Sequence, residues 1–155
     1  MIAPAHPLGK EDITRLANIL LVLQRCFIQH LSKELAERHV SFPQYFILEK
    51  ICSHPGLTMT EIAEKMDHTT AATTGLVDRL ENLGYVQRSA SIADRRKVFV
   101  NITGKGAQLV ERIRKDIVDN LQQISERLTP EEQMTWLQIY EKIHAYCSRK
   151  NESEK

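Results

Sequence analysis

Between residues 57 and 84, apolar side chains recur at three- and four-residue spacing in two short runs, which predicts two helices. Thr58 and Glu61 have the spacing of a capping box, which satisfies backbone donors left unpaired at a helix start. A break at Asp67 and His68 precedes the second helix, predicted from about residue 69 to residue 83, and Gly84 follows as its stop. The pattern therefore predicts a helix-turn-helix.

A two-stranded ribbon is predicted directly after this helix pair. Tyr85 to Arg88 has the pattern of a short strand, and Val98 to Ile102 that of its antiparallel partner. The segment between them, SASIADRRK, contains the consecutive cations Arg95, Arg96 and Lys97. A basic loop at the tip of a ribbon suits contact with DNA phosphates or the minor groove, although such a loop taken alone is equally compatible with a solvated turn.

Long helices are predicted on both sides of this region, over residues 10–38, 104–128 and 129–149. The first is apolar around most of its circumference, because Leu21 and Val22 extend an already wide stripe. The second has a seam of coiled-coil spacing, and the third has two apolar stripes. A helix that is apolar on most sides must be covered on most sides, so a second subunit is inferred.

The predicted fold is mainly α with a small two- to three-stranded β-wing. A winged helix-turn-helix lobe over residues 42–103 is expected beside a helical dimerisation region built from the N- and C-terminal helices, residues 10–38 and 104–149. A chain of 155 residues is expected to form one domain over residues 1–155 that buries about two-thirds of its unfolded surface.

The start of the second short helix, residues 69–74, has the sequence TTAATT and carries only small side chains. A helix that enters a DNA major groove needs little bulk near the bases, together with hydroxyl and methyl groups for base edges, phosphates and thymine. Threonine is only a moderate helix former, so this composition is costly for a helix that serves as scaffold alone. A polar, cap-rich turn is the alternative interpretation of these six residues taken by themselves.

The charge distribution supports DNA binding more than the net charge of +1 does. Residues 65–105 contain seven Lys/Arg against four Asp/Glu, so this segment is +3 and the remainder of the chain is −2. Three widely spaced cysteines are expected to be reduced thiols in the cytoplasm, and no membrane segment or targeting signal is predicted.

No enzymatic activity, cofactor or metal site is predicted. The sequence has no nucleophile elbow, no HExxH motif and no phosphate-binding loop of the right spacing. Cys26 and His30 share a helix face, but two ligands do not make a zinc site. Redox activity at Cys26, Cys52 or Cys147 stays open as an alternative form of regulation.

The segments LVDRLENLGYVQR and DRRKVFVNITGKG, within this order of elements, resemble the MarR family of bacterial regulators. The resemblance implies that Arg96 enters the minor groove and that Asp94 steadies the wing. It implies that residues 69–74 read bases, while Gly75 stands where some members carry an arginine. The candidate DNA-binding residues are Thr69, Thr70, Ala71, Thr73, Thr74, Arg79, Arg95, Arg96 and Lys97.

The expected function is a homodimeric transcriptional regulator, in most such proteins a repressor, that binds a pseudo-palindromic operator in double-stranded DNA. The resemblance also implies a small aromatic or phenolic effector between the dimer helices and the winged lobe. Two alternatives are a DNA-binding regulator switched by thiol oxidation and a winged-helix protein-interaction module without DNA binding.

Overall fold

The computed structural model describes residues 7–90 and 97–153, which fold into six helices and three strands within those ranges. The elements in chain order are α1 (Lys10–Ala36), α2 (Phe42–Ser53), β1 (Leu57–Thr58), α3 (Met59–Lys65), α4 (Thr70–Asn82), β2 (Val86–Ala90), β3 (Val98–Ile102), α5 (Gly104–Ser125) and α6 (Pro130–Ser153). They form two compact units, Met1–Ile113 and Arg114–Lys155. The fold is mainly α with a small β-sheet, as the sequence predicts.

The first unit contains a helix-turn-helix backed by a three-stranded antiparallel sheet of order β1-β3-β2. Leu57 pairs with Val100, and Val86 pairs with Ile102. The core of this unit combines apolar side chains from its helices and its sheet. Those on α2 to β3 are Tyr45, Ile47, Leu48, Ile51, Leu57, Ile62, Ala63, Val77, Leu80, Val86 and Val100.

The capping box at Thr58 and the helix stop at Gly84, both predicted from the sequence, are confirmed. The Thr58 N–H donates to Glu61 Oε2 at 2.7 Å, and the Glu61 N–H donates to Thr58 Oγ1 at 3.3 Å, which completes the capping box of α3. Ser41 and Gln44 form the same box at the start of α2. Gly84 adopts φ +76°, the left-handed conformation that ends α4.

The sheet differs from the sequence expectation at two places. The strand predicted from Tyr85 begins one residue later, because the Tyr85 N–H donates to the Leu80 carbonyl and still belongs to the end of α4. β1 has only two residues, too few for a periodic pattern, so the sequence allowed a third strand without locating it.

The two ends of α1 have different environments. Leu31 and Leu35 near its C-terminus are buried, whereas large apolar residues along the rest of the helix are exposed. These exposed residues are Ile13, Leu16, Ile19, Leu20, Leu21, Val22, Leu23, Phe27 and Ile28. The chain by itself therefore leaves most of the apolar surface of α1 uncovered.

The start of α5 belongs to the first unit, where Leu109, Val110 and Ile113 are buried. Glu34 on α1 forms ion pairs with two arginines. Its Oε2 lies 3.8 Å from Arg112 Nε on α5 and 3.0 Å from Arg38 Nη1. The predicted helix start is confirmed, because Thr103 Oγ1 accepts from the Gly106 N–H at 3.2 Å.

The second unit consists of the end of α5 and α6. Gln133 Nε2 donates to the carbonyls of Ser125 and Leu128, at 2.9 and 3.2 Å, and so fixes the turn between the helices. Apolar residues of both helices are exposed, namely Val118, Leu121, Ile124, Met134, Leu137, Ile139, Tyr140, Ile143 and Tyr146. Within the described ranges, no helix combines the length and apolar character needed to cross a membrane.

Candidate nucleic-acid interface

The helix-turn-helix is joined by a tight turn whose geometry fixes the start of α4. Asp67 adopts φ +51°, and the His68 N–H donates to the Ala63 carbonyl at 3.0 Å. Thr69 is the N-cap residue of α4, and its Oγ1 accepts from the Ala72 N–H at 3.2 Å. The hydroxyl of Thr69 is therefore engaged in capping, although the residue itself is exposed.

α4 has one buried face and one exposed face. Thr73, Val77 and Leu80, which recur at helical spacing, have no exposed surface and anchor the helix in the core. The opposite face carries Thr70, Ala71, Gly75, Asp78 and Arg79, all exposed, with Thr74 half-buried at its edge. This face combines small side chains near the N-terminus of the helix with a cation near its C-terminus.

The sequence prediction for Thr73 is wrong. Its side chain is 0% exposed, and its hydroxyl donates to the Thr69 carbonyl at 3.1 Å inside the helix. Thr73 lies four and seven residues before Val77 and Leu80, a spacing that places it on the core side. That spacing could have identified it as a core residue, but the run of threonines obscured it.

Thr74 keeps part of its surface exposed, and its hydroxyl donates to the Thr70 carbonyl at 2.8 Å. Such a bond satisfies the hydroxyl proton and leaves the oxygen free to accept, while the methyl group stays available for apolar contact. The Arg79 side chain makes no hydrogen bond or ion pair with any residue in the described ranges.

An ion-pair cluster that sequence reasoning missed joins α4 to the wing. The Arg88 guanidinium on β2 donates to Asp78 Oδ1 at 2.6 Å and also to Glu81 Oε2. The Arg88 backbone N–H donates to Glu81 Oε1 at 3.0 Å. Glu81 thereby binds both the side chain and the edge of the strand, so the base of the wing is fixed to the helix.

The wing itself is described only up to its basic tip. Lys97 is exposed at the start of β3, and Asn101 Nδ2 donates to Ser89 Oγ at 2.9 Å across the two strands. The predicted contact residues Arg95 and Arg96, and the predicted wing-stabilising residue Asp94, lie outside the described residues.

The Glu61 carboxylate caps the start of α3 and also interacts electrostatically with Lys97 of the wing. Its pKa is lowered from the ordinary value of 4.5 because it accepts hydrogen bonds from the backbone N–H and the hydroxyl of Thr58, with a smaller contribution from the charge of Lys97. A pKa lowered in the folded state means that the ionised carboxylate stabilises the fold, and that this contribution is lost as the pH falls below about 4.5.

We therefore expect Glu61→Gln to reduce the difference in stability between neutral and acidic solution. Urea unfolding at neutral pH and near pH 4 measures the free energy of unfolding of the variant and of the parent at each pH. Glu64→Gln, an exposed glutamate on the same helix, is the matched control. An unchanged pH profile for Glu61→Gln would exclude this role of the capping box.

No group of three or more His, Cys, Asp and Glu side chains in the described part of the chain could hold a metal ion. Cys26 and Cys147 are exposed on apolar helix surfaces, and Cys52 is half-buried.

A core-anchored helix with a small-residue face, a second helix across a tight turn, and a β-ribbon clamped beside it define a winged helix-turn-helix protein. A model of the MarR family matches residues 40–98, which contain the helix-turn-helix and the first strand of the ribbon.

Relatives of known sequence extend the likeness beyond the lobe. The HTH-type transcriptional regulator YwhA of Bacillus subtilis is 33% identical over 119 residues, which cover 74% of this chain and 83% of that protein. YfiV of the same organism is 37% identical over 102 residues, or 66% of this chain. This match spans only 62% of the length of YfiV.

Solved structures show the same fold along nearly the whole chain. A MarR family protein from Bacillus stearothermophilus aligns with a TM-score of 0.79 at 23% identity, covering 91% of this chain and 99% of that one. The MepR–DNA complex of Staphylococcus aureus aligns with a TM-score of 0.72 at 20% identity, covering 84% and 98%. This chain belongs to the MarR family of winged helix-turn-helix transcriptional regulators.

Proposed function

We propose that this protein is a homodimeric, sequence-specific DNA-binding repressor of transcription in the cytoplasm. The exposed face of α4 enters a major groove, and the basic tip of the wing, including Arg95, Arg96 and Lys97, contacts the flanking backbone and minor groove. Bound at a promoter, the dimer excludes the transcription machinery from the same stretch of duplex.

The observation that carries this proposal is the division of α4 into a fully buried face and an exposed one. Thr73, Val77 and Leu80 hold the helix against the core, so Thr70, Ala71 and Thr74 are directed away from it. Small side chains allow the backbone of a recognition helix to approach base edges closely. The family relationship and the MepR–DNA complex support the same assignment.

The exposed apolar surfaces of α1, α5 and α6 support a homodimer. Leu20 is 63% exposed and Tyr146 is 66% exposed, and each lies among other uncovered apolar residues. A soluble monomer rarely leaves large contiguous apolar patches in water. A second copy of this chain covers them, and a two-fold axis supplies the second α4 that a palindromic operator requires.

A small aromatic or phenolic molecule is proposed as effector, on the strength of the family resemblance. The rings of Phe42, Tyr45 and Phe46 on α2 are consistent with such a ligand. The Phe42 and Phe46 centroids lie 6.5 Å apart, those of Tyr45 and Phe46 lie 5.9 Å apart, and Phe46 is partly exposed. Aromatic side chains favour stacked and edge-on contacts with further rings.

Selection of duplexes from a random-sequence pool tests the DNA-binding function directly. We expect an enriched pseudo-palindrome whose half-sites are about one helical turn (~34–36 Å) apart, and binding that weakens steeply as salt rises. Light scattering on the same sample should give the mass of a dimer. No enrichment, together with salt-independent or absent binding, would favour the alternative of a protein-interaction module.

Arg96→Ala should weaken binding to the enriched duplex and reduce the slope of log affinity against log salt by about one unit, because one phosphate or minor-groove cation is lost. Circular dichroism should show unchanged folding. Arg15→Ala, which removes an exposed cation of α1, is the control and should leave the slope unchanged. An unchanged slope for Arg96→Ala would show that the wing does not contact the DNA.

Thiol oxidation is a second candidate for regulation, because Cys26 and Cys147 lie on apolar helix surfaces that are exposed in the single chain and that the proposed dimer would cover. DNA binding measured before and after hydrogen peroxide treatment, and again after a thiol reductant, tests it. A reversible loss that disappears in Cys26→Ser or Cys147→Ser supports the switch, and a loss that persists in both variants excludes these thiols.

A further inference from the structure

Gly75 lies in the interior of α4, on the exposed face that the proposed function brings to DNA. Glycine is less favourable than alanine in the middle of a helix, because it loses more backbone freedom on folding. A glycine at this position therefore lowers helix stability, and the reason for it must be sought in its surroundings.

Neither the backbone nor the packing requires glycine here. The glycines with positive φ are Gly56 and Gly84 among the described residues, so the conformation of Gly75 is open to any residue. A methyl group placed on Gly75 would meet no heavy atom within 4 Å. By contrast, a methyl group on Gly106 would lie 2.7 Å from Ile102 Cγ1. No residue that the structure describes excludes a side chain at position 75.

The surroundings of Gly75 suit a polyanion. The Arg79 guanidinium, one turn further along the same face, has no partner among residues 7–90 and 97–153, whereas the neighbouring Asp78 is paired with Arg88, with 2.6 Å between Asp78 Oδ1 and Arg88 Nη2. Within the described ranges, the Arg79 guanidinium is therefore not held by a carboxylate of the protein. Such a guanidinium, next to a helix position without a side chain, fits a phosphate backbone on one side of a groove.

α4 has little freedom to move back and make room for an added side chain. Thr73, Val77 and Leu80 are fully buried around it, and Arg88 ties its C-terminal half to the wing. A methyl group at position 75 would therefore project outwards and keep a docked duplex at a greater distance.

We propose that Gly75 is a specificity-determining residue, because its missing side chain lets the duplex touch the backbone of α4 and sets the depth of docking. This inference rests on the proposed DNA-binding function. The bases opposite Gly75 are read by close contact, and the depth set there also positions Thr70, Thr74 and Arg79 on the duplex. Added bulk at position 75 lowers affinity for the chosen sequence and leaves binding to random DNA unchanged.

The test compares Gly75→Ala and Gly75→Leu with the parent on the duplex that the parent enriches and on a shuffled duplex. Gly75→Ala should raise the melting temperature of the protein and weaken binding to the enriched duplex about tenfold, the size of one unfavourable base-pair contact. Gly75→Leu should weaken it further. Binding of both variants to the shuffled duplex should match the parent.

Gly104→Ala is the matched control, because Gly104 is also exposed, has no heavy atom within 4 Å of an added methyl group and lies outside α4. It should keep parental affinity. Unchanged or tighter binding by Gly75→Ala would overturn the inference while leaving DNA binding intact, and equal losses on both duplexes would overturn the specificity role. A parent protein that enriches no sequence would contradict the proposed function itself.

Discussion

Leu20→Glu should convert the protein to a monomer and reduce its affinity for the enriched duplex by about a hundredfold or more, because two linked α4 helices bind far more tightly than one. Leu20 is among the most exposed apolar residues of α1, and its neighbours on the helix are also uncovered. Burial of a polar group without a hydrogen-bond partner costs about 2–7 kcal/mol. Burial of an unpaired carboxylate in the helix interface costs more, because the group is charged. Sedimentation or light scattering measures the mass, and a fluorescent duplex measures the affinity.

Gln24→Glu is the matched control for this experiment. It adds the same charge to an exposed position of α1 but removes no apolar surface. We expect a smaller change in dimer stability for this variant. A dimer that survives Leu20→Glu with unchanged DNA affinity would place the subunit interface elsewhere, and a parental protein that is monomeric would contradict the homodimer.

Gly106→Ala should destabilise the first unit by about 1–3 kcal/mol or more, the range for bulk forced into a packed site. A methyl group on Gly106 would lie 2.7 Å from Ile102 Cγ1 and even closer to the backbone carbonyl oxygen of Tyr85. The chain is tightly connected there: the Thr103 N–H donates to the Tyr85 carbonyl at 3.0 Å, and Lys105 Nζ donates to the Leu83 carbonyl at 2.7 Å. Backbone at this junction must shift before a side chain fits.

Thermal and urea unfolding of Gly106→Ala and Gly104→Ala measure this effect, and both variants add one methyl group to a glycine at the start of α5. Position 104 has open space for a methyl group, so Gly104→Ala should leave stability unchanged or slightly raised. Equal stabilities of the two variants would show that the junction of β3 and α5 relaxes easily, against the tight packing described here.

The elements that the sequence predicted well are those with local signals. The capping box at Thr58 and the stop at Gly84 depend on residues close together in the chain, and both form. Such features need no knowledge of tertiary structure.

The elements that escaped prediction depend on contacts between segments. Arg88 pairs with Asp78 ten residues away and Glu81 seven residues away, across a helix end and a strand start, and no periodicity marks that pairing. β1 forms only because β3 supplies partners for its two residues. Gly104 and Gly106 look alike in sequence, and only the neighbouring carbonyl of Tyr85 distinguishes them.

Thr73 shows how composition can mislead at a binding site. Four threonines within six residues suggested one surface, yet helical geometry sends Thr73 to the core and Thr70 and Thr74 towards solvent. The predicted wing residues Asp94, Arg95 and Arg96 lie outside the described residues, so their roles stay predictions that mutation must test.

Methyl NMR of the threonines on α4 tests the proposed interface most directly, since these side chains lie on both faces of one helix. On addition of the enriched duplex, the methyl resonances of Thr70 and Thr74 should shift, while that of the fully buried Thr73 should stay in place. Unchanged Thr70 and Thr74 resonances in a sample that binds the duplex would show that α4 does not enter the groove.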